Sequence, residues 1–221
     1  MSNNLDEIAL KLEECEKSFF NDASFLIGYI NIRSLKPHLQ LLLQEQNMMQ
    51  CDAIGLGETW LNQNDNLEVP PFFSTSVNNG RGKGVASLTK EQTKMKEVIN
   101  EQFHSMIKLQ MGNKIIIFVY ISKEAISANY IKDIEKLIGN SNYPTVLIGD
   151  VNWKGIQQSH PMNKFMTSKN FTQLIQEPTH IYGNTIDHVY VNPSMKEMNV
   201  QVYVDPLYYI SDHAALFVKI V

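Results

Sequence analysis

Residues 145–153 read TVLIGDVNW, an apolar run that stops at a carboxylate. A short apolar, β-branched run closed by glycine and acid is read as a buried strand, because a helix needs roughly ten or more residues to bury a face. Asp150 and Asn152 are two residues apart, a spacing that in extended chain puts side chains on one face, so they are expected to converge just beyond the strand. There a carboxylate and a carboxamide can hold a water, the aspartate accepting its proton and the asparagine orienting it or donating to a phosphoryl oxygen. An ordinary Gly/Asp/Asn turn is the other reading of the same residues.

The pattern repeats along the chain. Asn31 follows FLIGYI, Glu58 follows AIGLG, Tyr120 follows KIIIFV, Asp187 and His188 follow NTI, and Asp212 and His213 follow YYIS. Glu58 has the hard oxygens that Mg²⁺ takes from one or two protein carboxylates, or it caps a loop beside Thr59. Asn31 would bind the same ion or orient Glu58, and otherwise ends its strand. Asp187 suits the role of a distant partner that makes His213 a better cation or proton donor, whereas a salt-linked histidine beside an Asp cap, Asp212, is the plainer alternative. Tyr120 is either a phosphate donor or a core tyrosine. Thr179, His180 and His188 flank these clusters as candidate substrate contacts, with structural hydrogen bonding the stronger reading for both histidines. His38, His104 and His160 are expected at the surface.

Around these clusters the chain reads as a layered α/β protein. FLIGYINI, a helix over PHLQLLLQEQNMM and CDAIGLGE give a strand–helix–strand unit. The segment VPPFFSTSVNNGRGKG reads as a loop, with a strand from near Gly84, and FHSMIKLQMGNKIIIFVYIS as a hairpin turning at Gly112-Asn113. Helices are expected over SANYIKDIEKLIGN and NKFMTSKNFTQLI, and strands over NTIDHVYV, NVQVYVDP and HAALFVKIV. Residues 1–24 form an expected amphipathic helix ahead of a single domain over 25–221.

With 221 residues, 43% of them hydrophobic, the chain can bury one sizeable core. No apolar run is long enough for a membrane helix and the N-terminus is acidic, so a soluble intracellular monomer is expected, without membrane contact. Cys15 and Cys51 lack zinc-ligand neighbours and are read as buried thiols. A formal net charge of −4 argues against tight, charge-driven nucleic-acid binding. Basic residues do gather at Arg81 and Lys83 in NNGRGKG, then at Lys90, Lys94 and Lys96, where a substrate would be held; a glycine-rich basic loop can approach a phosphate backbone closely, and an exposed, flexible connector is the slightly favoured alternative. Trp153 would stack on a base or cover the sheet edge, the latter being favoured.

Taken in order, NIRSL, GLGETWL, VY, GDVNW, TIDHVYV and SDHAAL resemble the motif series of the endonuclease/exonuclease/phosphatase superfamily. The ETWL, IDHV and SDH forms are most similar to apurinic-like endonuclease domains of LINE-type retrotransposons and Helitron-type mobile elements. The resemblance implies a four-layered α/β sandwich (α+β, DNase I-like), with two mostly antiparallel sheets face to face and helices outside. It implies Mg²⁺- or Mn²⁺-dependent nicking of DNA that leaves a 3′-hydroxyl and a 5′-phosphate, inside a mobile-element polyprotein, with the nucleus as the expected workplace of such an enzyme. Glu58 and Asn31 then correspond to the metal site, with Asp212 as the acidic neighbour near the metal. Asp150 corresponds to the residue that aligns or deprotonates the attacking water and Asn152 to the one that steadies the phosphoryl group. His213 corresponds to the histidine on the scissile phosphate, Asp187 to the aspartate that orients it, and Tyr120 to a phosphate contact. The alternatives are a phosphatase or phosphodiesterase of the same fold acting on a phosphoinositide, phospholipid or RNA, and a catalytically silent binding module.

Overall fold

A computed structural model of the protein describes residues 19–21, 25–139, 142–153 and 159–221. Most of the expected N-terminal helix, and Cys15 with it, lies outside these residues. Phe19–Asn21 are helical, and the Phe20 ring meets Phe217 edge-on.

Strand β1 (Phe25–Asn31) runs parallel to β2 (Ala53–Gly57), which brings Asn31 opposite Gly57. The crossover is helical but broken, where the sequence predicts a single helix: α1 (Leu35–Gln44) stops at Glu45, which is extended, and α2 (Gln46–Gln50) follows. β3 (Phe73–Val77) and β4 (Val85–Thr89) pair antiparallel, so part of the expected Pro/Gly loop is an edge strand. Its FSTSV sequence has no apolar alternation to announce it.

β5 (Met95–Asn100), β6 (His104–Met111) and β7 (Lys114–Ile121) form a meander, with the β6–β7 hairpin turning at Gly112-Asn113 as expected. α3 (Ser127–Ile138) crosses over to β8 (Thr145–Asp150), which lies parallel to β7 with Asp150 opposite Tyr120. α4 (Pro161–Ser168) is shorter than expected: Asn170 takes a left-handed φ of 62°, and Thr172–Gln173 pair as β9. β10 (Asp187–Val191), a short α5 (Pro193–Lys196), β11 (Val200–Asp205) and β12 (Ala215–Ile220) complete the chain.

The strands form two six-stranded sheets, ordered β11-β12-β1-β2-β4-β3 and β5-β6-β7-β8-β10-β9. Each has one parallel pair at its centre, β1–β2 or β7–β8, and antiparallel neighbours outward. Their inner faces share one apolar layer that includes Ile27, Val85, Phe118, Ile148 and Leu216. A second layer packs α1 and α2 on the outer face of the first sheet through Leu42 and Met48, and a third packs α3 and α4 on the second sheet through Ile134 and Met166. Four layers result, the DNase I-like sandwich expected from the sequence.

Glycines on β2 make room for large rings in the layer between the sheets. A Cβ on Gly55 would lie 2.1 Å from the Phe118 ring, and one on Gly57 would lie 2.2 Å from the Tyr29 hydroxyl. That hydroxyl, fully buried, donates to Val119 O and accepts the backbone N–H of Asp150, linking β1 to the end of β8. Tyr29→Phe would leave both backbone groups without this partner, a loss of about 1–3 kcal/mol. Urea unfolding is expected to show that loss together with a lower rate of hydrolysis, since Asp150 loses its tether. Unchanged stability would contradict the role given to Tyr29.

Among the described residues no helix is long and apolar enough to cross a membrane. Cys51 is buried, and burial pushes its thiol up, away from the reactive thiolate. His104 departs from the surface position expected of it. It is buried and its Nε2 lies 2.7 Å from Asp133 of α3.

Candidate active site

Topology explains why distant clusters meet. In a parallel pair both carboxyl ends lie on the same side, so β1–β2 deliver Asn31 and Glu58 together, and β7–β8 deliver Tyr120 and Asp150 together. β10 and β12 run antiparallel to β8 and β1, so their amino ends reach the same edge. Asp187 therefore opens its strand rather than closing one, directly opposite Asp150. His213 lies just before β12, bridged to His180.

The side chains form one hydrogen-bonded constellation. Asn31 Nδ2 donates to Glu58 Oε1 at 3.2 Å and to Asp150 Oδ2 at 2.8 Å, so one amide joins residues from both sheets. Asn152 donates its backbone N–H to Asp150 Oδ1 and its Nδ2 to Oδ2, at 2.8 and 3.0 Å. The two side chains converge as expected, for a different reason: Asn152 is left-handed, at φ 56°, and folds back on Asp150. His213 Nδ1 lies 2.8 Å from Asp187 Oδ2, which also accepts from Thr179 Oγ1 at 2.7 Å. His213 Nε2 is 4.0 Å from Asp212 Oδ1, and Ser211 Oγ donates to Asn31 O at 2.6 Å. The Tyr120 hydroxyl donates to Gly82 O at 2.8 Å, beside Glu58.

Burial and charge set the protonation states. Burial and the neighbouring Asp187 hold the Asp150 carboxyl well above the usual carboxylate range, opposed by His213. Burial disfavours the His213 imidazolium, yet Asp187, Asp150 and Asp212 outweigh it and push that group up to about 9. The site thus pairs a carboxylate of raised basicity with an imidazole held as a cation near neutral pH. Such perturbed pairs cluster at functional sites.

Backbone strain is concentrated in the same place. Of seven non-glycine residues at positive φ among those described, Arg33, Ser34, Glu58, Trp60 and Asn152 sit in the loops of this edge. Each such conformation costs on the order of 1 kcal/mol and persists where surrounding contacts enforce it.

Among the described residues, two groups of side chains bring ligand atoms within 4.8 Å of one another: Asp150, Asp187 and His213, and His180, Asp212 and His213. Glu58 belongs to neither and connects to Asp150 through Asn31. His180 Nε2 lies 3.4 Å from Asp212 Oδ2, so this histidine faces the centre that the sequence placed it beside.

Several expected substrate contacts are used internally instead. Thr179 is fully buried and accepts the Ile186 and Asp187 N–H groups while donating to Asp187, so it fixes that carboxylate. His188 is fully buried against Tyr190 and Thr185 O, and burial lowers it to about 4. Trp153 stacks on His160 with ring centroids 3.9 Å apart and packs on the outer layer of the second sheet, where the sequence reading favoured cover of the sheet edge. Arg81 and Lys83 do line the cleft, a depression of about 660 Å³ that also includes Glu58, Trp60, Tyr120 and Asn152. Lys90, Lys94 and Lys96 do not gather there. β4 runs away from the site, from Val85 opposite Gly57 to Thr89 opposite Ala53, and carries Lys90 to the far end with it. Lys96 lies on β5, opposite Leu109.

Sequence reasoning passed over Arg33, Trp60 and Tyr29. Arg33 Nη1 lies 2.5 Å from Asp212 Oδ2, and Trp60 Nε1 donates to Glu58 Oε2 at 3.2 Å. Arg33 and Trp60 both stood in quoted motifs, NIRSL and ETWL, which was the available signal.

Residues 28–213 match the Endonuclease/Exonuclease/phosphatase family, and the chain belongs to it. Among solved structures, the fold is similar to a variant of the 3′ phosphatase NExo from Neisseria bound to product DNA hairpin, with TM-score 0.71, 16% identity, and 90% of this chain and 100% of that one covered. It is also similar to an AP endonuclease from Archaeoglobus fulgidus, with TM-score 0.70, 14% identity, and 89% and 99% covered. Cytolethal distending toxin from Actinobacillus actinomycetemcomitans aligns at TM-score 0.63 and 12% identity, covering 90% and 99%. No curated protein sequence matches.

Proposed function

We propose that the chain is a metal-dependent DNA endonuclease that nicks phosphodiester bonds to leave 3′-hydroxyl and 5′-phosphate ends, as one module of a mobile-element polyprotein. The observation that carries this reading is the Asn31 amide bonded at once to Glu58 and Asp150, beside a His213 fixed by Asp187. It gathers, at one edge, a metal-type carboxylate, a base and a cationic donor. The mobile-element origin rests on the ETWL, IDHV and SDH forms.

The donor set fits a divalent cation. Glu58 and Asp212 carry the hard oxygens that Mg²⁺ or Mn²⁺ takes, and Asn31, whose Oδ1 accepts the Arg33 N–H while its Nδ2 donates to Glu58, orients that glutamate. Asp150 is raised by burial first, and then by Asp187 and Glu58, carboxylates whose mutual repulsion a cation would relieve. When bound, the ion would supply Lewis-acid stabilisation of charge developing on the phosphoryl oxygens.

The residues themselves orient the reaction. Asp150 accepts a proton from a water whose oxygen attacks phosphorus; the P–O3′ bond breaks, and the leaving 3′-oxygen takes a proton from solvent to become the 3′-hydroxyl. Asn152 and Asn31 hold the Asp150 carboxylate in place. The His213 Nε2–H donates to a phosphoryl oxygen, its ring held by Asp187 and Asp187 in turn by Thr179.

Incubating supercoiled plasmid with the protein and Mg²⁺, then adding DNA ligase, tests the product chemistry. Open circles that ligase reseals are expected, with EDTA preventing their formation. Nicks that resist ligase, or release of phosphate only from monoesters, would contradict an endonuclease with these products.

A further inference from the structure

Beside the catalytic cleft, and separated from it by Arg33 and Trp60, lies a second depression of about 340 Å³. Tyr208, Tyr209 and Trp60 supply its aromatic walls, and Asp212 and Ser211 its inner end. Tyr208 and Tyr209 are 37% and 61% exposed, unusual for two large rings beside a buried polar centre. The Tyr209 hydroxyl is hydrogen-bonded to Glu45, and the Tyr208 hydroxyl is raised by burial first and by the nearby Asp187 second. The two depressions differ in character. Arg33 and Trp60 line both; the catalytic cleft adds Arg81, Lys83 and Lys123 beside Phe103 and Tyr120, whereas this one has no lysine and adds Tyr208, Tyr209 and His38.

With a formal net charge of −4, phosphate neutralisation by the few cations of the cleft supplies only part of the grip on a strand. Stacking is the other source of affinity for a nucleic-acid strand, and every base has a face to offer. A duplex keeps its bases stacked on one another, so only an unpaired nucleotide can use such a site. Resting on the nuclease reading above, we propose that the Tyr208/Tyr209/Trp60 depression binds an unpaired nucleobase adjoining the scissile phosphate, so that the substrate is DNA with a single-stranded or unstacked nucleotide at the cut. One strand then crosses the wall between the two depressions, its phosphates toward Arg81 and Lys83 and one base among the tyrosines. Arg33 stands beneath the connecting phosphate.

The test uses the full chain and 12-nucleotide DNAs carrying 2-aminopurine, single-stranded or in a duplex, in EDTA so that binding is read without turnover. Wild type is expected to quench the single-stranded probe and to bind it more tightly than the duplex. Tyr208→Ala/Tyr209→Ala should weaken single-strand binding by about ten- to a hundredfold, as loss of base–aromatic stacking does, and Tyr208→Phe/Tyr209→Phe should restore it. With Mg²⁺ the loss should fall on KM for single-stranded substrate more than on kcat. Equal weakening for single strand and duplex, or no weakening, would overturn the base site even if plasmid is nicked normally. A wild type that binds the probe in this way without cleaving it would support the base site while sinking the hydrolase reading.

Discussion

Asp150→Asn is expected to lower kcat for DNA hydrolysis by about 10²–10⁴, the range that proton transfer by a positioned base contributes. An asparagine keeps the volume and one acceptor oxygen and loses the basicity. Asp150 is fully buried, faces Asp187 across the β8–β10 pair, and has its carboxyl raised by burial and that neighbour, so its proton affinity exceeds that of an exposed aspartate. The substitution also turns one amide hydrogen toward groups that now donate to Asp150, the Asn152 N–H and the Asn31 and Asn152 amides. Circular dichroism of the variant should match wild type, separating lost chemistry from lost fold. A variant within a few-fold of wild-type kcat would remove Asp150 from the role of base.

His213→Ala is expected to cost about 10²–10³ in kcat, as removal of one preorganised donor to a developing oxyanion does. Asp187→Asn should give a loss in the same direction. Its Oδ2 is the partner of His213 Nδ1, and three carboxylates hold the imidazole charged. Because Asp187 acts through His213, the double variant should be hardly slower than His213→Ala alone, the non-additivity of groups that work as a unit. Additive losses would place Asp187 in a separate task.

Much of this was legible because the sheet turns local sequence into position. An apolar run that ends at a polar residue marks the end of a buried strand, and two central parallel pairs place four such ends together. Glu58, Asn31, Asp150 and Tyr120 were found by that signal. Asp187 and His213 precede their strands' apolar runs, and they reach the edge because β10 and β12 run the other way, which chain order alone does not state.

The misreadings share a cause in long-range geometry. β3 and β5 are edge strands with largely polar or half-exposed sequences, FSTSV and MKEVIN, so no apolar periodicity announced them. Lys90 and Lys94 follow Arg81 and Lys83 in sequence, but β4 lies between and carries them away. Thr179 and His188 sit beside site residues in the chain, yet turn their polar atoms inward. Tyr29 was unreadable as a site residue, since its hydroxyl matters only once the two sheets are packed.

The most direct measurement is conversion of supercoiled plasmid to open circles in Mg²⁺ by wild type, Glu58→Gln and His213→Ala in parallel. Glu58 and His213 stand far apart in the chain and serve one centre in this account. Wild type should nick the plasmid, and each variant should lose that activity by at least about a hundredfold. Equal nicking by all three proteins would contradict it.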